Sequence, residues 1–189
     1  FYWIIRTVYL TTLLVMAHHK LYRQKDKNWL SECHQLEVKD RLESLYHLII
    51  FPVYKEGLDI LRPSLKALEE CNYPRGKMIV VVAFEERNPH SRENAAILEL
   101  EFQGKFFRYL STFHPDGING EGRTKGANAT WAAKRAGELL NAAGINNKDV
   151  VVSCFDADTC VAKEYFGCLS YYFLTSPDPH QASYQPIPV

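Results

Sequence analysis

The sequence predicts an α/β domain built on a mainly parallel, doubly wound sheet, and three observations carry that expectation. Short apolar runs of strand length alternate with longer segments whose apolar residues recur at helical spacing, so each strand pair needs a crossover connection. The runs Tyr46–Val53, Met78–Phe84 and Val150–Phe155 are nearly continuous in apolar character, as strands covered on both faces are. Polar and acidic residues then cluster immediately after three of the runs, at the strand ends where open α/β sheets bind ligands.

The elements follow in order. Residues 1–17 are apolar or aromatic apart from Arg6 and three threonines, somewhat short of the roughly 20 residues of a full membrane span. Lys20, Arg23, Lys25 and Lys27 come next, which places the following chain on the cytosolic side if the segment spans. Three readings stay open for it: a partial transmembrane helix, a signal peptide ending near Val15-Met16-Ala17, and a helix buried in the domain. Residues 18–45 are charged and amphipathic, a juxtamembrane helix or linker. From Tyr46 the α/β alternation sets in, and residues 46–189 form the remaining domain. Tyr46–Val53 is the first strand. Leu58–Cys71 is a helix closed by the turn Asn72-Tyr73-Pro74. Met78–Phe84 is the second strand, Ser91–Gly104 a helix with Ser91 and Asn94 as cap candidates, and Phe106–Thr112 the third strand. A Gly-rich stretch, His114–Gly126, leads into an Ala-rich helix over Ala127–Ala143 with Gly144 at its C-terminal stop. Val150–Phe155 is the fourth main strand, followed by a helix through Val161–Thr175 and a last strand over Gln181–Gln185. The result is a Rossmann-like domain without internal repeats. The chain starts at Phe1 and stops on Pro186-Ile187-Pro188-Val189 after an extended-looking segment, which suggests part of a longer protein.

Composition narrows the function. With 22 basic and 22 acidic residues in 189, no overall field favours nucleic acid. The five cysteines, an odd number without a C-x-x-C pair, do not suggest a zinc site or a disulfide framework, and reduced thiols in the cytosol are the economical reading.

Asp156-Ala157-Asp158 directly follows the fourth main strand. Residues at i and i+2 of an extended chain point the same way, so both carboxylates can face one hard cation, and that cation can bridge to a diphosphate. The same pair also reads as a solvated acidic turn capping the next helix. The first strand exits into Pro52, Tyr54, Lys55 and Glu56, and the second into Glu85, Glu86 and Arg87. Each exit has a plain structural reading: Pro52 ends a strand, Glu56 caps a helix, and Glu85–Arg87 is a solvated loop. Three such exits at one sheet edge of a neutral chain mark a site. The loop Asn119–Gly126 brings two cations and several glycines to a helix N-terminus, which suits phosphate. Its order is not that of a Walker loop, and no G-x-G-x-x-G stands at the first strand exit, so a dinucleotide oxidoreductase is disfavoured.

Ile50-Phe51-Pro52-Val53-Tyr54-Lys55-Glu56 resembles the opening strand and loop of family 2 glycosyltransferases, Arg123-Thr124-Lys125-Gly126-Ala127-Asn128-Ala129 resembles their basic Gly-Asn segment, and Phe155-Asp156-Ala157-Asp158-Thr159 resembles their D-x-D motif. The resemblance runs in the same order across residues 46–189. It implies a GT-A fold that binds a UDP- or GDP-linked sugar with Mg²⁺ or Mn²⁺ and passes the sugar, a hexose, to a glycan or lipid acceptor with inversion. By the same resemblance Asp158 ligates the metal, Asp156 contacts the ribose or the metal, Pro52, Tyr54 and Glu56 line the nucleoside pocket, and Lys125 lies near the diphosphate. Membrane association through the N-terminal segment, with a cytosolic catalytic domain, fits relatives that carry transmembrane helices. Two departures stand out. Glu85-Glu86 replaces the aspartate pair expected after the second strand, leaving Glu85 as the candidate base contact. Beyond Asp158 only Glu164 and Asp178 are acidic, and neither matches the family's catalytic base, so the acceptor half of the active site is expected to be missing. A nucleotidyltransferase and a non-catalytic nucleotide-sugar-binding membrane protein are the rival readings.

Overall fold

The computed structural model describes residues 1–24 and 27–185. Lys25 of the basic cluster and the closing Pro186–Val189 lie outside the described residues. Helices α1 (Tyr2–Gln24), α2 (Trp29–His34) and α3 (Lys39–Ser44) precede strand β1 (Tyr46–Val53). Then come α4 (Leu58–Glu70), β2 (Met78–Glu85), α5 (Ser91–Phe102), β3 (Arg108–His114), α6 (Lys125–Ala142), β4 (Val150–Cys154) and α7 (Tyr165–Thr175).

All four strands are parallel and stand in the order β3-β2-β1-β4. Successive side chains of a strand point to opposite faces, and the continuous apolar runs therefore feed two cores. On one face Ile49, Phe51 and Val53 of β1 and Val80, Val82 and Phe84 of β2 pack with Leu61, Leu65 and Leu68 of α4, Leu98 and Phe102 of α5 and Phe166 of α7. On the other, Leu48, Ile50, Ile79, Val81 and Ala83 pack against Ala132, Ala136 and Leu140 of α6. The small residues at 132 and 136 let α6 lie close to the sheet. The molecule is thus a three-layer α/β/α sandwich of the kind the alternation predicts.

Several boundaries differ from the sequence reading, each for a local reason. Helix α6 starts at Lys125 rather than Ala127 because Thr124 caps it, its hydroxyl accepting the Ala127 N–H at 3.2 Å. Ser91 does not cap α5: its hydroxyl donates to the Glu85 carbonyl at 2.7 Å, tying the helix to the end of β2. Helix α7 begins at Tyr165, not Val161, since residues 159–164 form an irregular turn and Glu164 is the N-cap position. No strand forms over 181–185; Pro179–Gln181 makes a 3-10 turn and residues 182–185 are irregular. Gly144 takes the left-handed φ of 70° expected at the stop of α6.

The segment read as a juxtamembrane helix or linker carries the short helices α2 and α3 and packs on the domain. Trp29, Cys33 and Leu42 are buried, and α2 lies on α7 so closely that a Cβ on Gly167 would meet Leu30 N at 2.9 Å and Trp29 Cβ at 3.2 Å. Replacing Gly167 by alanine is expected to cost about 1–3 kcal/mol by overpacking, read as a lowered urea midpoint. An unchanged midpoint would mean that α2 is not seated there. By contrast α1 buries none of its residues, and among the described residues no helix is long and apolar enough to cross a membrane. All five cysteines are free, two of them buried.

Candidate functional site

A parallel sheet places every strand's C-terminal end on one edge. In this sheet the chain winds outward from β1 to β2 to β3, then returns through α6 to β4 on the far side of β1. The winding reverses between β1 and β4, and a crevice outside the strand ends at such a reversal is where open α/β sheets bind ligands. The two motifs read as strongest from sequence, the exits of β1 and β4, flank that point.

Beyond β4 the extended course lasts one residue before the chain turns at Ala157-Asp158. Phe155 N donates to Ile50 O at 3.0 Å, carrying the β1 pairing one residue past the strand. Phe155 and Ala157 are buried while Cys154, Asp156 and Asp158 are exposed. Both carboxylates are exposed, but Asp158 sits in a turn, so the extended i, i+2 geometry expected from the sequence does not hold there. Ala157 is pinned from below, since its carbonyl accepts the buried Ser64 hydroxyl of α4 at 2.7 Å, and Thr159 N donates to Asp156 O at 2.9 Å to close the turn.

Lys125, in the first turn of α6, reaches across and pairs its ammonium with Asp156 Oδ1. Its charge also acts on Glu56 and Cys154. The helix is held in this position by Asn128, fully buried, whose Nδ2 donates to Ala83 O at 2.7 Å and to Val53 O at 3.4 Å. One amide thus ties the N-terminal turn of α6 to the ends of β1 and β2. The Gly-Asn segment singled out in the sequence has a defined structural task at the point where the strands end.

At the β1 exit Pro52 is a buried strand residue and Tyr54 is 42% exposed. The Arg87 guanidinium lies 4.4 Å from the Tyr54 ring centroid and Lys55 Nζ 5.1 Å from it. Glu56 does not cap α4, whose N-cap is Gly57. Its carboxylate folds back and accepts the N–H groups of Tyr54 at 2.7 Å and Lys55 at 3.0 Å. Burial alone raises the Glu56 carboxyl, but the backbone donors of Tyr54, Glu56 and Lys55, helped by Lys125, outweigh it and hold the group below its ordinary value of 4.5. The stabilisation this gives is full above that ordinary value and is lost as pH falls through the lowered folded value. Glu56→Gln is expected to cost about 1 kcal/mol at neutral pH, small for charge-assisted bonds because the site is solvated. The variant should also lose that component of acid sensitivity in urea titrations run across the acid range.

Glu85 is placed differently from the others. It ends β2 at 4% exposure, with its Oε2 3.4 Å from His114 Nδ1 and 3.4 Å from Arg87 Nε. It therefore faces neighbours within the protein, and Arg87 is the β2-exit side chain that reaches the mouth. Glu86 is exposed and pairs with Arg92 at 2.8 Å. Arg87 was read only as part of the β2 exit, and His114 and Glu121 were given no role; the β2–β3 register, which sets Glu85 opposite His114, brings them together.

The acidic residues after the D-x-D are committed elsewhere. The Glu164 carboxylate accepts Asn72 Nδ2 at 2.7 Å and Trp29 N at 3.0 Å, joining α2 to the β2 approach. Asp178 lies beside an open cleft of about 870 Å³ along β4, lined by Val150–Phe155, Tyr165, Leu169 and residues 178–184. That cleft follows the uncovered strand and does not include Asp156 or Asp158.

Among the described residues no three His, Cys, Asp or Glu side chains converge on one point as a complete protein cage for a metal. Asp156 and Asp158 nevertheless offer two exposed hard oxygen donors two residues apart in the chain. That suits a cation which takes its remaining ligands from water and a phosphate. The Lys125 ammonium on Asp156 shows that this carboxylate accepts a cationic partner. No protein-family model matches the chain, and no curated protein matches it.

Proposed function

We propose that this chain is the donor-binding part of a glycosyltransferase, taking a UDP- or GDP-linked sugar together with Mg²⁺ or Mn²⁺. The observation that carries the reading is the meeting, at the β1/β4 reversal of the sheet, of the paired carboxylates Asp156 and Asp158 with Lys125 at a helix N-terminus. Carboxylates alone repel a diphosphate, and a helix N-terminus with a lysine attracts it. Their combination suits an anionic ligand that arrives with its own divalent cation.

In this reading Asp158 and Asp156 hold the cation, and the neighbouring β1 exit, Pro52 to Glu56, shapes the nucleoside side of the crevice. Bound there, a divalent cation supplies stabilisation of the negative charge that grows on the departing diphosphate. Lys125 holds positive charge at the same end of the ligand, and the amide ends of the first turn of α6 point toward it. Tyr54, with Arg87 against its ring, gives the nucleoside side an aromatic surface backed by positive charge. The exposed apolar helix α1, without an acidic residue and with Arg23 in its last turn, suits attachment to a membrane, with the domain on the cytosolic side and a glycan or lipid as acceptor.

Calorimetric titration of the chain with UDP and with GDP, each with and without Mn²⁺, tests the reading. Metal-dependent binding of one nucleotide supports it and identifies the base. Equal heats with and without metal, for both nucleotides and a folded sample, would refute it.

A further inference from the structure

The loop that leads into α6 is fastened to the sheet at one buried residue. His114 ends β3 at 4% exposure, and its two ring nitrogens face two different carboxylates. Nδ1 lies 3.4 Å from Glu85 Oε2 and Nε2 lies 3.3 Å from Glu121 Oε2. A neutral imidazole has one donor nitrogen and one acceptor nitrogen, whereas the imidazolium donates from both. The neutral ring would set a lone pair against a carboxylate oxygen; the doubly protonated ring satisfies both contacts.

Charge points the same way. The groups facing His114 are Glu85 at the end of β2, Glu121 in the loop, Arg87 beside Glu85 at 3.4 Å, and, from α6, Trp131 edge-on at 5.9 Å, with Arg135 over the Trp131 ring at 4.7 Å. With the ring protonated, two cations in direct contact, His114 and Arg87, balance Glu85 and Glu121. With it neutral, one negative charge is left over in a pocket where His114 and Glu85 are almost fully enclosed, and an unbalanced buried charge is costly. The Glu121 side chain is 31% exposed, so it is the member free to leave.

We infer that His114 and Glu85 are positioning residues: protonated His114 latches Glu121, and with it the loop 115–124, onto the end of the sheet and so sets where Thr124 and Lys125 enter the site. Within the loop Arg123 is already paired to Asp116 at 2.8 Å, and Gly117 and Gly120 hold left-handed φ values of 80°. The segment is therefore a shaped unit that moves with its attachment at Glu121. Both contacts need a donor nitrogen, so the latch is closed while His114 carries both ring protons and opens when one is lost. The consequence for donor binding rests on the function proposed above; the latch itself does not.

The test uses the full chain with ¹⁵N-labelled histidine. Imidazole nitrogen shifts and the amide exchange of residues 117–124 are followed from about pH 5 to about pH 9, spanning the range in which histidine switches charge. Expected are two protonated nitrogens on His114 at the acid end, and a loss of loop protection of about tenfold or more that tracks its deprotonation. His114→Gln should give a pH-independent loop. Glu121→Ala, on the solvent side, should leave the imidazole titrating but make the loop exchange fast at every pH, which keeps the test sound if His114→Gln fails to fold. A singly protonated ring at the acid end, or loop protection in the wild-type chain indifferent to His114, would overturn the proposal. None of these readouts involves a nucleotide. A working latch with no nucleotide binding would therefore count against the donor site alone, and nucleotide affinity that falls with rising pH in the wild type but not in Glu121→Ala would join the two.

Discussion

Asp158→Asn is expected to lower metal-dependent affinity for the preferred nucleotide by about a hundredfold, equivalent to about 2.7 kcal/mol. The substitution keeps the size of the side chain and removes the charge that a hard cation needs. Asp158 is exposed and among the described residues no protein partner neutralises it in the hydrogen bonds or ion pairs of the site, so the fold should be indifferent to the change and urea midpoints should match. Asp156→Asn should behave differently. Its carboxylate already carries the Lys125 ammonium, and losing it frees that cation for the diphosphate, so a loss of less than about tenfold is expected. Asp149→Asn serves as the control, because Asp149 lies in the 3-10 turn before β4, at the opposite end of the strand. Calorimetry with and without Mn²⁺ reads all three. Equal effects at positions 149 and 158 would remove the D-x-D from the site.

The second large effect is on stability in acid. His47 is fully buried in β1, with Nε2 2.9 Å from Ser170 Oγ of α7 and Nδ1 without a partner. Burial lowers its pKa from 6.5 to about 3. The unfolded chain therefore takes up a proton below about 6.5 that the folded chain refuses until about 3. Stability from this residue is complete above the unfolded value and drains away as pH falls toward the folded one, with a limiting slope of about 1.4 kcal/mol per pH unit. The double substitution His47→Leu/Ser170→Ala removes the titrating group together with the hydroxyl it would strand. Urea unfolding of this variant should lack that slope between about pH 6 and about pH 4. Parallel pH profiles for the variant and the parent would show that His47 is not the acid-sensitive element.

What could be read without coordinates was what neighbouring residues dictate. Strands β1 and β2 announced themselves because both of their faces are covered, β4 because its residues are apolar although Val152 and Cys154 leave one face exposed, and α6 because Ala132 and Ala136 repeat at the spacing of one helical face. Strand β3 was placed two residues early. Phe106 and Phe107 are apolar enough to open a strand, yet the β2 ladder begins at Arg108, paired with Ile79. The segment before β1 read as a linker because its charges outnumber its apolar residues. Trp29 and Cys33, four apart on one helical face, were the signal available for its burial. The acidic pair and Lys125 were visible as motifs, and their meeting followed from strand order. The pairing of Glu85 with His114 was not visible, because those residues come together only through a lateral ladder between strands. Nor does local sequence distinguish Glu56 capping a helix from Glu56 bracing its own turn.

The position of β4 carries a consequence for how the molecule is made. β1 is the first strand in the chain, but its partner on one side is synthesised only after β2, β3 and α6, with Tyr46 waiting to pair with Val150. Contacts so far apart in sequence are slow to form because the intervening chain must be closed into a loop first. During that interval the apolar edge of β1 is bare, and a nascent chain emerging from the ribosome would hold a three-stranded sheet with an unsealed flank. The meeting of Asp156 with Lys125 thus waits on that late pairing, and it comes into being as the sheet loses its bare flank.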